Sequence, residues 1–182
     1  MTGDGAEPPG RDTGERDLPA GLHTDPERPL LLGMLEWHRE GVVHKVTGLA
    51  AEHLSVSPVR SGATVGGIVK HLAYVEDAWF TERIAGRPPP EPWASAPFDA
   101  DPDWEWHSAG GQSPTELLAL YTQACERSRR AVAGLDLDVT AVTGRGTVFS
   151  VRFALLHLIE ETARHLGHLD VLRELLDGTT GE

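Results

Sequence analysis

The densest run of reactive side chains is His157-Leu-Ile-Glu-Glu-Thr-Ala-Arg-His165-Leu-Gly-His168. At about 100° per residue, His157, Glu161, His165 and His168 fall within an arc of roughly 80° on one side of a helix. A carboxylate and an imidazole four residues apart lie on adjacent turns, where both can reach one divalent ion. The apolar arc of the same wheel is formed by Leu155, Leu158, Ile159, Leu166, Leu169, Leu172 and Leu176. Glu161 and His165 lie between that arc and its rim, whereas Glu160 points toward solvent, so the wheel favours Glu161 over its neighbour. The same spacing also suits a helix-face ion pair without a metal.

Two ligands are too few, and a third must come from another helix. The segment Gly66-Gly-Ile-Val-Lys-His71-Leu-Ala-Tyr-Val-Glu76-Asp77 offers His71 or Glu76. Its apolar arc centres near Leu72 and Trp79, which puts His71 at the edge and Glu76 nearer the middle. Periodicity alone chooses Glu76, whose alternative role is an acid buried against an arginine. A set of two histidines and one glutamate leaves positions open for water or substrate, the pattern of a catalytic rather than a structural site. His38, on the inward stripe of the first helix, reads equally as a proton carrier or a core histidine. His157 and His168 flank the ligand pair and suit acid-base work or the orienting of a ligand. Cys125, the lone cysteine, falls on an apolar stripe and reads as a small core hydrophobe rather than a nucleophile.

These side chains need a scaffold, and the periodicity supplies one. Residues 1–26 mix Gly, Pro and charged residues with hardly an aliphatic one, predicting a disordered tail. Leu31, Leu35, His38, Val42, Val46 and Leu49 recur at helical spacing and predict a first helix over residues 27–54. Thr64 caps a second helix that Gly86 and Pro88–Pro90 end. Residues 87–112 form a long crossover carrying Trp93, Phe98, Trp104 and Trp106, rings that favour packing over disorder. Ser113-Pro-Thr-Glu116 is a capping box opening a third helix, and Ser150 caps a fourth that Gly178 stops. Between them, Gly144 to Phe149 reads as a short extended turn. Residues 27–178 are thus predicted to be one all-α four-helix bundle domain, followed by a short tail over 179–182.

Composition narrows the function classes. Of 182 residues, 28 are acidic and 16 basic, for a net charge of −12. That balance argues against a nucleic-acid partner. No apolar run is long enough to span a membrane or serve as a signal peptide, and one cysteine cannot form an internal bridge. A cytoplasmic protein is expected. Only Lys45 and Lys70 are lysine amid abundant Ala, Gly and Arg, a bias that suggests a high-GC, actinobacterial source.

The Gly66–Phe80 segment and the His157–Gly178 segment, in that order, resemble the DinB superfamily. The likeness is to its actinobacterial DinB-like proteins of unknown function, the mini-circle protein type, over about residues 25–178. It implies an up-up-down-down bundle and a metal site at His71, Glu161 and His165, which overrules the wheel on His71 versus Glu76. Many members carry His at the position of Glu161; the related mycothiol-dependent maleylpyruvate isomerases carry Glu. Gly167 matches the family pattern, whereas His168 stands where Gln is frequent. Relatives that use mycothiol or bacillithiol imply a metal-activated thiol transferase or isomerase acting on a small electrophile. Zn²⁺ is the leading ion, with Ni, Fe or Mn as alternatives. The other readings are a hydrolase using activated water and a non-catalytic metal- or ligand-binding stress-response protein; a homodimer is compatible with either.

Overall fold

A computed structural model of the chain describes residues 18–180. The expected disorder of residues 1–17, and the end of the C-terminal tail at 181–182, lie outside the described residues. The elements are α1 (Glu27–Val46), α2 (Val65–Glu76), α3 (Trp104–His107), α4 (Pro114–Val132), β1 (Thr140–Val142), β2 (Val148–Ser150) and α5 (Val151–Asp177).

The start and stop signals act where the sequence put them. Thr64 accepts a hydrogen bond from the Gly67 amide at 3.0 Å, and Ser150 accepts one from Phe153 at 3.2 Å. Ser113 and Glu116 close the full capping box. α1 ends about two turns early, because Thr47 is extended and Gly48 takes φ +78°, a left-handed conformation open to glycine; Leu54 is then buried from a separate 3₁₀ turn. Order also begins ahead of Pro26. Leu22 is buried in a 3₁₀ turn over Gly33, where a Cβ would come within 2.5 Å of its Cδ1. The expected extended turn before α5 is a complete antiparallel hairpin, with Ala141 opposite Phe149.

The four long helices form the expected all-α bundle, but their directions differ from up-up-down-down. Glu27 pairs with Arg152 and Lys45 with Asp170, so α1 and α5 run parallel. His71 meets Glu161 while Trp79 meets Phe153, so α2 opposes α5. Gly66 abuts Leu117 and Asp77 binds Arg127, so α2 and α4 run parallel. The order is therefore up-down-down-up. This explains the long crossover: two parallel neighbours oblige the chain to travel back along the bundle before α4 can begin.

α2 does not stop at Glu76 but widens into a π-helical stretch, Asp77–Ile84. The junction carries two fully buried acids, each gripped by an arginine from a different helix. Arg39 of α1 donates to both oxygens of Glu76 at 2.7 and 2.6 Å. Arg127 of α4 donates to both oxygens of Asp77 at 2.8 Å, and Thr81 Oγ1 and Trp93 Nε1 add donors at 2.9 Å. Along α1 and α2 the Arg39–Glu76 pair separates two apolar clusters, one containing Val42, Leu72 and Leu166, the other Leu35, Phe80 and Leu158.

Glu76→Ala removes the fully buried partner of the Arg39 guanidinium, leaving it only the half-buried Glu36, and should cost about 3 kcal/mol of stability. Glu160→Ala, on the exposed face, should cost less than about 0.5 kcal/mol. Urea denaturation midpoints compare the two directly.

Candidate metal centre

His71 of α2 and Glu161 and His165 of α5 present one donor atom each, all within 4.8 Å of one another. His71 Nε2 and His165 Nε2 each lie 3.3 Å from Glu161 Oε1. Donor atoms in a tetrahedral shell with bonds near 2.1 Å are about 3.4 Å apart, so both separations suit a zinc-sized ion. Glu76, the alternative from periodicity, is held by Arg39 and stands outside the trio.

The crossover finishes the site. Glu105 of α3 is buried, and its Oε1 lies 3.1 Å from His71 Nδ1. An Nδ1–H donated to that carboxylate leaves the Nε2 lone pair facing Glu161. Trp106 stacks on His71, with ring centroids 4.3 Å apart. The crossover can approach this closely because Gly67 has no side chain: a Cβ there would meet the Trp106 carbonyl at 3.2 Å. Lys70 spreads its ammonium over the Trp104 ring at 4.3 Å. Glu105 is not legible as a site residue from the sequence, whereas Trp106 is one of the crossover rings that can wall a pocket. The available signal was an acid set between two tryptophans, a pairing that makes little sense in a solvated loop.

A family model for mycothiol-S-transferases matches residues 30–178. The chain belongs to the mycothiol-S-transferase family. Among solved structures, a mycothiol-dependent maleylpyruvate isomerase is similar with a TM-score of 0.59 and 16% identity, over 81% of this chain and 62% of that one. A mutant of an isomerase of the same name gives a TM-score of 0.59 and 15% identity over the same shares. The chain thus spans about three-fifths of the length of these structures, which share its helical fold. No curated protein matches it.

The other candidate residues of this family member are distributed as follows. His168 is exposed, and its Nδ1 lies 3.4 Å from His165 Nδ1, on the side of the ring away from Glu161. His157, one turn before Glu161, lies parallel to Phe153 and 4.6 Å from the centroid of Trp79. It belongs to an aromatic group rather than to the trio. His38 is buried on α1 with its ring edge-on to Trp37, and it is likewise outside the trio. Cys125 packs in the core, where burial and the nearby Glu76 carboxylate push its thiol well above the ordinary range. No helix among the described residues is long and apolar enough to cross a membrane.

Electrostatics favour an ionised Glu161 and a neutral His165. Burial alone would raise the Glu161 carboxyl, but its two imidazole neighbours, His71 and His165, outweigh burial and hold it below the ordinary value. His165 is pushed down to about 4, by burial first and then by His71 and His168, against the pull of Glu161. Between pH 6.5 and about 4 the unfolded chain therefore holds a proton at His165 that the folded chain refuses. The metal-free protein should lose stability as pH falls through that window. His165→Gln should flatten the slope of stability against pH there, measured by urea denaturation in chelator; an unchanged slope would refute the buried neutral imidazole.

Proposed function

We propose that the chain is a metal-dependent thiol transferase in which His71, Glu161 and His165 hold a divalent ion, Zn²⁺ foremost. The single observation carrying this reading is that one carboxylate oxygen of Glu161 faces two imidazole nitrogens from different helices, each at 3.3 Å. The donor chemistry fits: two neutral imidazoles and one carboxylate leave coordination positions free. A bound ion would supply a lowered thiol pKa, and hence a thiolate at neutral pH.

The protein's own groups then divide the work. Glu105 fixes the tautomer of His71, and Trp106 covers the ring from the crossover side. The half-buried Glu161 gives the two histidines a common negative partner. The thiol proton is released to solvent, because His168 lies at His165 Nδ1, on the side of that ring away from Glu161. The thiolate sulfur then attacks an electrophilic carbon of a small molecule, forming a C–S bond as the leaving group departs with its electron pair. Cys125 takes no part, because its sulfur is buried and kept protonated. The family match supports mycothiol as the thiol.

Purified wild-type protein should hold about one equivalent of divalent metal, and His165→Ala or His71→Ala should lose it on dialysis. Equal metal content in wild type and variants would sink the ligand assignment. Glu105→Gln should keep the fold and weaken Zn²⁺ affinity by about 10–100-fold, measured by competition with a chromogenic chelator. Consumption of an electrophile should require mycothiol and fall to background without it; turnover independent of thiol would point instead to activated water and a hydrolase.

A further inference from the structure

Acidic proteins rarely leave arginines without acidic neighbours, and here Arg39, Arg127, Arg129 and Arg152 are all clasped by carboxylates. Arg83 and Arg145 are exceptions, as are Arg60 and Arg87; of the four, Arg83 and Arg145 stand together, with the charge of Glu82 acting on Arg83. Neither makes an ion pair or hydrogen bond among the described residues, and both line the same cavity of about 660 Å³. Its walls include Trp79, Phe149 and Phe153, and Thr147 adds a hydroxyl.

Neither cation is clasped by a carboxylate, and each is carried by an ordered element. Arg83 stacks on Trp79, its guanidinium carbon 4.5 Å from the ring centroid, which fixes the planar fork while leaving its N–H donors unspent. Arg145 sits at the tip of the β1–β2 loop. That loop is tied by Thr143 N to Thr147 O at 2.9 Å, Gly146 N to Thr143 O at 2.8 Å, and Thr147 N to Thr143 Oγ1 at 3.1 Å. Gly146, at φ +83°, makes the tight return possible. The hairpin thus carries an arginine toward the face where α2 ends and α5 begins.

We infer that this cavity binds an aromatic or conjugated carboxylate, its ring against Trp79, Phe149 and Phe153 and its carboxylate between Arg83 and Arg145. The volume lies in the range of small-molecule sites. A guanidinium offers a carboxylate two parallel N–H bonds. A monoanion suits the site better than a phosphate dianion, because the chain as a whole carries a net charge of −12, which opposes each added negative charge. None of the lining residues is a candidate metal ligand. Phe153 precedes Glu161 by eight residues, about 12 Å along α5, so the site is separate from the trio and stands whether or not a metal is bound there.

The test is an NMR titration of the full-length chain with benzoate, benzamide and phenyl phosphate, with and without Zn²⁺. Benzoate should bind saturably in both conditions, shifting signals of Trp79, Arg83 and the hairpin loop. Benzamide should bind at least about tenfold more weakly. Arg83→Gln and Arg145→Gln should each weaken benzoate by about fivefold, and the double variant should lose it. Benzoate and benzamide binding equally, phenyl phosphate binding more tightly than benzoate, full affinity in the double variant, or shifts centred on His71 and His165 that require Zn²⁺ would each overturn the assignment. Metal content, measured on the same samples, reports separately on the metal reading.

Discussion

Two adjacent carboxylates on α2 cannot be left bare inside a helical bundle, and much of the architecture answers that demand. Burying an ion without a partner costs several kcal/mol. Glu76 draws Arg39 from one side and Asp77 draws Arg127 from the other, so α2 is fixed in position and rotation between α1 and α4. Asp77 also takes the indole of Trp93, which ties the start of the crossover to the same point. With α2 fixed, His71, five residues before Glu76, has a set direction toward α5. The register of a buried polar layer thereby decides where an imidazole on the bundle's edge points.

The sequence was most legible where a local signal had a local cause. Ser113 with Glu116, Thr64, Ser150 and Gly178 mark helix ends because capping involves residues within a few positions of each other. The pairing of Glu161 with His165 was legible for the same reason, since one helix fixes their spacing. The choice between His71 and Glu76 was not legible from periodicity. A wheel ranks residues by distance from the apolar arc, and it cannot know that the more central acid has an arginine waiting on another helix. Resemblance to a family points instead to His71, the residue that lies beside Glu161 and His165.

Helix direction is less legible still. Bundles with the same four stripes can be threaded in several orders, and amphipathic patterns carry no information about which neighbour runs parallel. Ion pairs between distant positions fix it: Glu27 with Arg152, Lys45 with Asp170 and Asp77 with Arg127. Glu105 was hidden by another limit. Loop residues have no period, so a buried acid in a crossover resembles a solvated one until the fold brings His71 beside it. The Gly66-Gly67 pair tells the same story, for its purpose is the close passage of Leu54 and Trp106, both remote in sequence.

The partners His71 and Glu161 stand 90 residues apart in the chain. Anything that binds both at once therefore closes a long loop, and loop closure removes more entropy from an unfolded chain the longer the loop. An ion taken up there would act as a removable cross-link between the second helix and the last. Since α3 lies between them in the chain and buttresses the same imidazole, such a link would also gather the crossover. Metal supply would then govern the persistence of the folded chain as well as its chemistry.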